Sequence, residues 1–405
     1  MQQSNLAIPQ ELLPLAGRII DTDTHESLPI NHWVERYGSV AQKFADALTL
    51  SGLPVKETRD ADDTEINAET VWQKKRLSAP GAFDFKRRLD VMDLTGVDKQ
   101  IVFPGAMGLM GMWFYANAGN PGILRSIGGS ESDRRTYAKQ ILTAYNDWTV
   151  RVKAESSRFY PVAILQAETP EGYVAEAKRL VDLGVTGLWM PSSIPPAGIS
   201  PAHSVFDPLW DVLASSRVPL FAHVGSDAGF LKSEAWKEAP AFEGFRLGDE
   251  FSLDPWTLST NHRATENFVT TLIVGGVFDR HPDLMYAAME SGGNWIGPLA
   301  EHLDLWIQHS GVFVGPTAPK PKIKLAPSEY IRRNVRVAPF GFEDVGNYIK
   351  LYNMPEVYCY QSDFPHLEGG KNPMGDTVES FKRAGLGMDV MEQFYVTNAM
   401  DLLPS

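Results

Sequence analysis

Eight short runs rich in β-branched and aromatic residues punctuate the chain: RIIDTDTH, KQIVFPG, RFYPVAILQAE, VTGLWMPSS, VPLFAHVGS, DLMYAAMES, VRVAPFG and VYCYQSDFPH. Between them lie stretches with the spacing of helices. TPEGYVAEAKRLVDLG is one, with Thr169 placed to cap it, Pro170 in its first turn and Gly184 at its close. FDPLWDVLASSR, TLIVGGVFDRHP, GDTVESFKRAG and GMDVMEQFYVTNAMDLL repeat the pattern. Strands that alternate with helices pair in parallel, because a parallel neighbour needs a crossover long enough to hold a helix. Eight such units are the number that closes a sheet on itself, so the rhythm predicts an α/β fold of the (β/α)8 TIM-barrel type. An open doubly wound sheet would use the same rhythm, but no glycine-rich phosphate loop follows any of the runs.

Residues 26–90, with the charge cluster KETRDADDTE, and residues 226–270, rich in Phe and Trp, break the rhythm. Neither contains a fixed-period repeat or a low-complexity linker. Residues 1–405 therefore read as a single domain in which 26–90 and 226–270 are long irregular insertions over or beside the barrel mouth.

The 43% hydrophobic content is enough for a large core, and the formal charge of -13 with scattered basic residues leaves no footprint for nucleic acid or an anionic membrane. A small-molecule partner is expected instead. The single cysteine, Cys359, excludes an intramolecular disulfide and any zinc site built from thiolates. The opening MQQSNLAIPQELLPLAGR has no basic patch before an apolar core, and no run reaches the roughly 20 apolar residues of a membrane span. The expected location is the cytoplasm.

The first run carries Asp21, Asp23 and His25 at alternate positions, which places them on one strand face. Burying such a face is costly unless something binds it. Parallel barrels build their sites at the C-terminal ends of their strands. There, Asp23 and His25 end the first strand, His223 the fifth, Glu290 the sixth and Asp363 the eighth. Oxygen and imidazole donors without sulfur suit a divalent zinc, iron or manganese ion. Such an ion lowers the pKa of water and polarises a carbonyl, which serves hydrolysis and decarboxylation alike, while a spare carboxylate moves protons.

Over IIDTDTH, RRLDVMDLTGVDKQIVFPG, AYNDW, RFYPVAILQAETPEGYVAEAKRL, FDPLWDVLASSRVPLFAHVGS, GGVFDRHPDLMYAAMESGGNWIGPLAEHLD and CYQSDFPH, the chain resembles the decarboxylase-related branch of the amidohydrolase superfamily. Aminocarboxymuconate semialdehyde decarboxylase is the best-known member of that branch. The resemblance implies a distorted (β/α)8 barrel, a homodimer, and a metal held by Asp23, His25, His223 and Asp363, with Asp363 also accepting a proton from the attacking water. Asp23 and Glu290 stand where many superfamily hydrolases have histidine, and LWMPSS offers no lysine at the end of the fourth strand, which argues against a carbamate-bridged pair of ions. Glu290 leaves the count at one or two ions, since it can join the first, hold a second, or act as acid or base.

Other residues carry weaker signals. Asp21 reads as a support for its neighbours, Glu26 as solvated or structural, and His281 and His302 as structural positions on surface helices. His366 can bind an anion, move a proton or steady its loop. Arg246, His262 and Arg263 offer positive charge to an acid or a thioester, while Trp236, Phe242, Phe245, Phe251 and Trp256 form a lid or cover the barrel's side. GAMGLMGMWFYANAG, with Met107, Met110, Met112, Trp113 and Phe114, reads as an apolar loop that faces either a substrate or a second subunit.

The residues thus predict a metal-dependent hydrolase of a C–N, C–O or thioester carbonyl in a mostly apolar acid derivative, with Asp363, Glu290 and His366 as the catalytic groups. A nonoxidative decarboxylase of an aromatic or unsaturated acid is the alternative, with a silent binding barrel as the third reading. Either enzyme requires the mildly purified protein to carry transition metal. Elemental analysis below roughly a tenth of an equivalent would argue against both.

Overall fold

Seven parallel strands form one curled sheet in the computed structural model, which describes residues 6–52, 57–224, 236, 239–244, 246–247, 251–252, 254–315 and 320–404. The strands are β1 (Ile19–His25), β2 (Val97–Phe103), β3 (Phe159–Ile164), β4 (Gly187–Trp189), β5 (Leu220–His223), β6 (Tyr286–Met289) and β7 (Val335–Val337), and they neighbour one another in that order. Every residue of β1 is buried, as expected of a strand covered on both faces.

The eighth run closes the barrel without forming a regular strand. Cys359 N–H donates to Val337 O (2.9 Å) on one side, while on the other Thr22 N–H donates to Tyr360 O (3.0 Å) and His25 N–H to Phe364 O (2.7 Å). Parallel bridges join Val337 to Tyr358 and Thr24 to Phe364. The segment departs from regular pairing where Asp363 takes a left-handed backbone, φ 51°. The barrel is therefore distorted at Asp363, one of the candidate site residues.

Helices cover the outside as the sequence rhythm requires. Thr169 caps α4 (Pro170–Asp182) by accepting from Gly172 N–H at 3.1 Å, and Ser130 with Asp133 forms a capping box at the start of α3 (Glu131–Glu155). Earlier in the chain, α1 (Phe85–Leu94) precedes β2 and α2 (Ala106–Ala116) follows it. The run GAMGLMGMWFYANAG is thus mostly helix α2 and not a loop. Met107, Met112 and Phe114 enter the core, whereas Leu109, Met110 and Trp113 line a cavity.

The polar residues 26–90 also hold helices, at Trp33–Tyr37 and Val40–Ser51, because apolar positions such as Phe44 and Leu48 recur at helical spacing beneath the charges. Among the described residues of 226–270 are a two-strand ladder, Arg246–Leu247 with Phe251–Ser252, and helices Pro255–Thr260 and Arg263–Val274. No helix among the described residues is long and apolar enough to cross a membrane.

Close strand packing depends on Gly187 in β4. A Cβ there would lie 2.4 Å from Cε2 of Phe221, a buried β5 ring that packs edge-on to Phe103 of β2. The Gly187→Ala variant should be destabilised by about 1–3 kcal/mol in urea unfolding, because the ring has no open space to move into.

Candidate metal centre

β1 does not keep strict alternation. Its register with β2 shifts between Asp21 and Thr24, so the carboxylates of Asp21 and Asp23 go to different partners. Asp21 accepts from the Ser362 N–H (2.9 Å) and hydroxyl (2.5 Å), and burial raises its pKa to about 7 against those hydrogen bonds. This is the supporting place expected of it. Asp23 turns to the histidines: its Oδ1 lies 3.3 Å from Nε2 of His25 and 3.6 Å from Nε2 of His223. Burial pushes its pKa up, but the two imidazoles, when protonated, outweigh that and hold it below the ordinary aspartate range.

His223 arrives at the end of β5 and Glu290 just after β6. Nε2 of His223 is 3.1 Å from a Glu290 carboxylate oxygen and 3.2 Å from Nε2 of His25. Asp363 enters from the closing segment, 3.7 Å from His25, and His366 places Nδ1 3.0 Å from the same carboxylate while its ring stacks on His25 at 4.0 Å. Asp23, His25, His223 and Glu290 each offer a ligand atom within 4.8 Å of the others, and so do His25, Glu290, Asp363 and His366. Residues scattered over most of the chain thus meet in two overlapping groups, buried except at the half-buried His366.

The donor set fits a divalent cation. Nδ1 of His25 faces Pro104 O (3.2 Å) and Nδ1 of His223 faces Val224 O (3.0 Å). A carbonyl only accepts, so each Nδ1 carries the proton and each Nε2 presents a lone pair. Two lone pairs then face each other beside buried carboxylates, and neither oxygen of Asp23 receives a hydrogen bond of normal geometry. A cation among them resolves that repulsion. The two groups overlap at His25 and Glu290.

A cavity of about 360 Å³ opens beside the cluster. Leu28, Leu109, Met110 and Trp113 make its apolar wall, with Glu26, Arg76, His366 and Glu368 as polar lining. Glu26 is buried, which corrects the solvated half of its sequence reading. It accepts from Leu28 N–H (2.8 Å), Gly105 N–H (3.2 Å) and Tyr37 O–H (2.9 Å), and burial raises its pKa to about 7. Gly105 is required at that approach, since a Cβ would fall 2.1 Å from Glu26 O.

The remaining candidates lie elsewhere. Arg263 pairs with Glu266 on the surface, and the His262 ring stacks at 6.3 Å on Trp295; neither lines the cavity. Trp236 is exposed and Trp256 half-buried, while Phe245 and the side chains of Arg246 and Phe251 lie outside the described residues. His281 is buried and not on a helix surface: Asp207 and Asp211 flank its ring at 3.2 and 3.0 Å. The sequence reading missed Lys75 and Arg76, two charges inside QKKRLS with no periodicity to single them out.

The comparisons with known proteins agree with this architecture. A family model described as amidohydrolase matches residues 116–404. The structure of an amidohydrolase from Mycobacterium avium subsp. paratuberculosis K-10 aligns with a TM-score of 0.62 and 19% identity, covering 95% of this chain and 98% of that one. For 5-carboxyvanillate decarboxylase from Sphingomonas paucimobilis the values are 0.59, 19%, 95% and 98%. For 5-carboxyvanillate decarboxylase from Novosphingobium aromaticivorans DSM 12444, complexed with manganese and 4-hydroxy-3-methoxy-5-nitrobenzoic acid, they are 0.58, 18%, 99% and 96%. No curated protein sequence matches the chain. At these identities the structural likeness speaks for the fold, and the match over most of the chain speaks for the family. The chain belongs to the amidohydrolase family.

Proposed function

We propose that this protein is a metal-dependent nonoxidative decarboxylase of a small aromatic or otherwise apolar carboxylic acid. The observation that carries the reading is the buried carboxylate–imidazole cluster opening on an apolar-walled cavity of about 360 Å³, a volume suited to a single-ring acid. Support also comes from the two 5-carboxyvanillate decarboxylases of the same fold, one of them with manganese bound. The hydrolytic reading rests on the same cluster and on the amidohydrolase of the same fold, for which neither substrate nor metal is named.

Asp23, His25, His223 and Asp363 would hold the ion, with Glu290 completing the set. When bound, the ion supplies positive charge that orients a carboxylate and stabilises the electrons left behind as it departs. Loss of CO2 breaks one C–C bond, and the electron pair that remains on carbon must take up a proton. Of the two proton donors expected from the sequence, His366 lines the cavity and Glu290 does not. His366 is accordingly the acid, oriented by Asp363 at 3.0 Å. The wall formed by Leu109, Met110 and Trp113 holds the ring and excludes water from the carbanionic carbon.

Asp21 acts at one remove. Its grip on Ser362 sets the residue before Asp363 and so holds the left-handed turn that aims the Asp363 carboxylate inward.

The manganese-loaded protein, offered aromatic monocarboxylates alongside esters, amides and thioesters, should release CO2 and leave solvent deuterium on the carbon that lost it. Hydrolysis products without CO2 would overturn the reading. Asp363→Asn and His223→Ala should each lose the metal on elemental analysis, whereas His366→Gln should keep it and lose roughly 100-fold in kcat. Asp21→Ala, which removes no proposed ligand, should weaken manganese affinity about 10–100-fold in an EPR titration.

A further inference from the structure

Lys75 is buried, only 8% exposed, and its ammonium has no hydrogen-bond partner among the described residues. Surface lysines keep their charge in water, so a lysine drawn inside without an acceptor demands a reason. Its backbone is held beside the cluster. The next residue, Arg76, donates its N–H to Pro365 O (2.7 Å), between Asp363 and His366, and the Ser78 N–H (3.1 Å) and hydroxyl (2.6 Å) donate to Lys75 O. Arg76, Leu77, His366 and Glu368 are among the residues that line the cavity, whereas Lys75 is not. The charges that act on the ammonium are those of Asp363 and Glu368, which favour it, and Lys371, which opposes it; burial outweighs them and lowers its pKa to about 8.

Charge balance gives this placement a purpose. Asp23, Glu290 and Asp363, when ionised, bring three negative charges to the two overlapping groups that share His25 and Glu290, one more than a single divalent ion would neutralise. An acid ligand would then approach a centre of its own sign. An ammonium beside Asp363 cancels the excess, and its unfilled donors need oxygen acceptors.

We propose that Lys75 is the cation of an anion-binding subsite between cluster and cavity, its ammonium taking an oxygen of the bound acid and its charge offsetting the carboxylate that the ion leaves over. This deepens the decarboxylase reading and rests on its metal centre. It makes Lys75 a specificity-determining residue: acids bind, and neutral esters or amides of the same shape do not gain from it.

The test uses two affinities that a packing role would move together. In Lys75→Met, manganese should bind roughly three- to tenfold more tightly by EPR titration, because a nearby positive charge is gone. Benzoate should bind the manganese-loaded variant roughly tenfold or more weakly by calorimetry, because a charged donor is gone. Lys75→Gln, which keeps a polar end, serves as the second variant and should shift both affinities in the same directions. Unchanged benzoate affinity, or a parallel loss of both affinities, would overturn the proposal. So would a wild-type protein that, loaded with manganese, binds none of formate, acetate and benzoate. Anion binding without CO2 release from any acid would leave the subsite standing and sink only the decarboxylase reading.

Discussion

Mutual repulsion among buried acceptors is the constraint on which this barrel mouth depends. The carboxylates of Asp23, Glu290 and Asp363 and the Nε2 lone pairs of His25 and His223 converge where water is excluded. Left to themselves, such groups would cost several kcal/mol each to bury. A divalent cation turns the repulsion into coordination, and the protein prepares for it by tying each Nδ1 proton to a carbonyl, Pro104 O for His25 and Val224 O for His223. The folded chain is in this sense half of a metal complex.

Holding ligands against one another requires strain and support. Glu290 and Asp363 both have left-handed backbones, with φ of 50° and 51°, at a price of about 1–2 kcal/mol per residue without glycine. Each strained turn has a polar clamp. Glu343 accepts from Gly293 N–H (3.1 Å) and Phe340 N–H (2.8 Å), which fixes the chain just after Glu290. Asp21 holds Ser362 beside Asp363. From α1, buried Arg88 donates to His25 O on β1 (2.9 Å) and stacks its guanidinium 4.6 Å from the Phe364 ring, linking the first strand to the closing segment. Charged groups outside the candidate ligand set thus decide where that set stands.

Much of this was legible in the residues. The strand and helix rhythm identified the barrel because parallel pairing needs long crossovers, and the five strand-end candidates fall in two overlapping groups that share His25 and Glu290. Other features resisted. Met107 and Met110 look alike in a run of apolar residues, yet one enters the core and the other lines the cavity, since facing is set by how α2 rotates against its neighbours. Glu26 reads from the sequence as solvated or structural because alternation places it opposite His25. Three donors from Leu28, Tyr37 and Gly105 make its burial affordable, and none is adjacent in sequence except through the turn at Leu28. Lys75 resembles any other basic residue in a polar loop until the loop is folded against Pro365.

By itself, the sequence determined the repeating unit, the strands' order and the chemical kind of the site, because periodicity and residue type are local properties. Tertiary structure alone decided which carboxylate meets Ser362 and which meets the histidines: Asp21 and Asp23 are two residues apart on one strand whose register with β2 shifts between Asp21 and Thr24. It also decided which cation stands near the acids. Arg263 stays with Glu266 in a solvated pair, while Lys75 is carried inward by a backbone contact to the segment that holds Asp363. The reason is physical: a charge acquires its role from the field and the solvent around it, and both are made by distant parts of the chain.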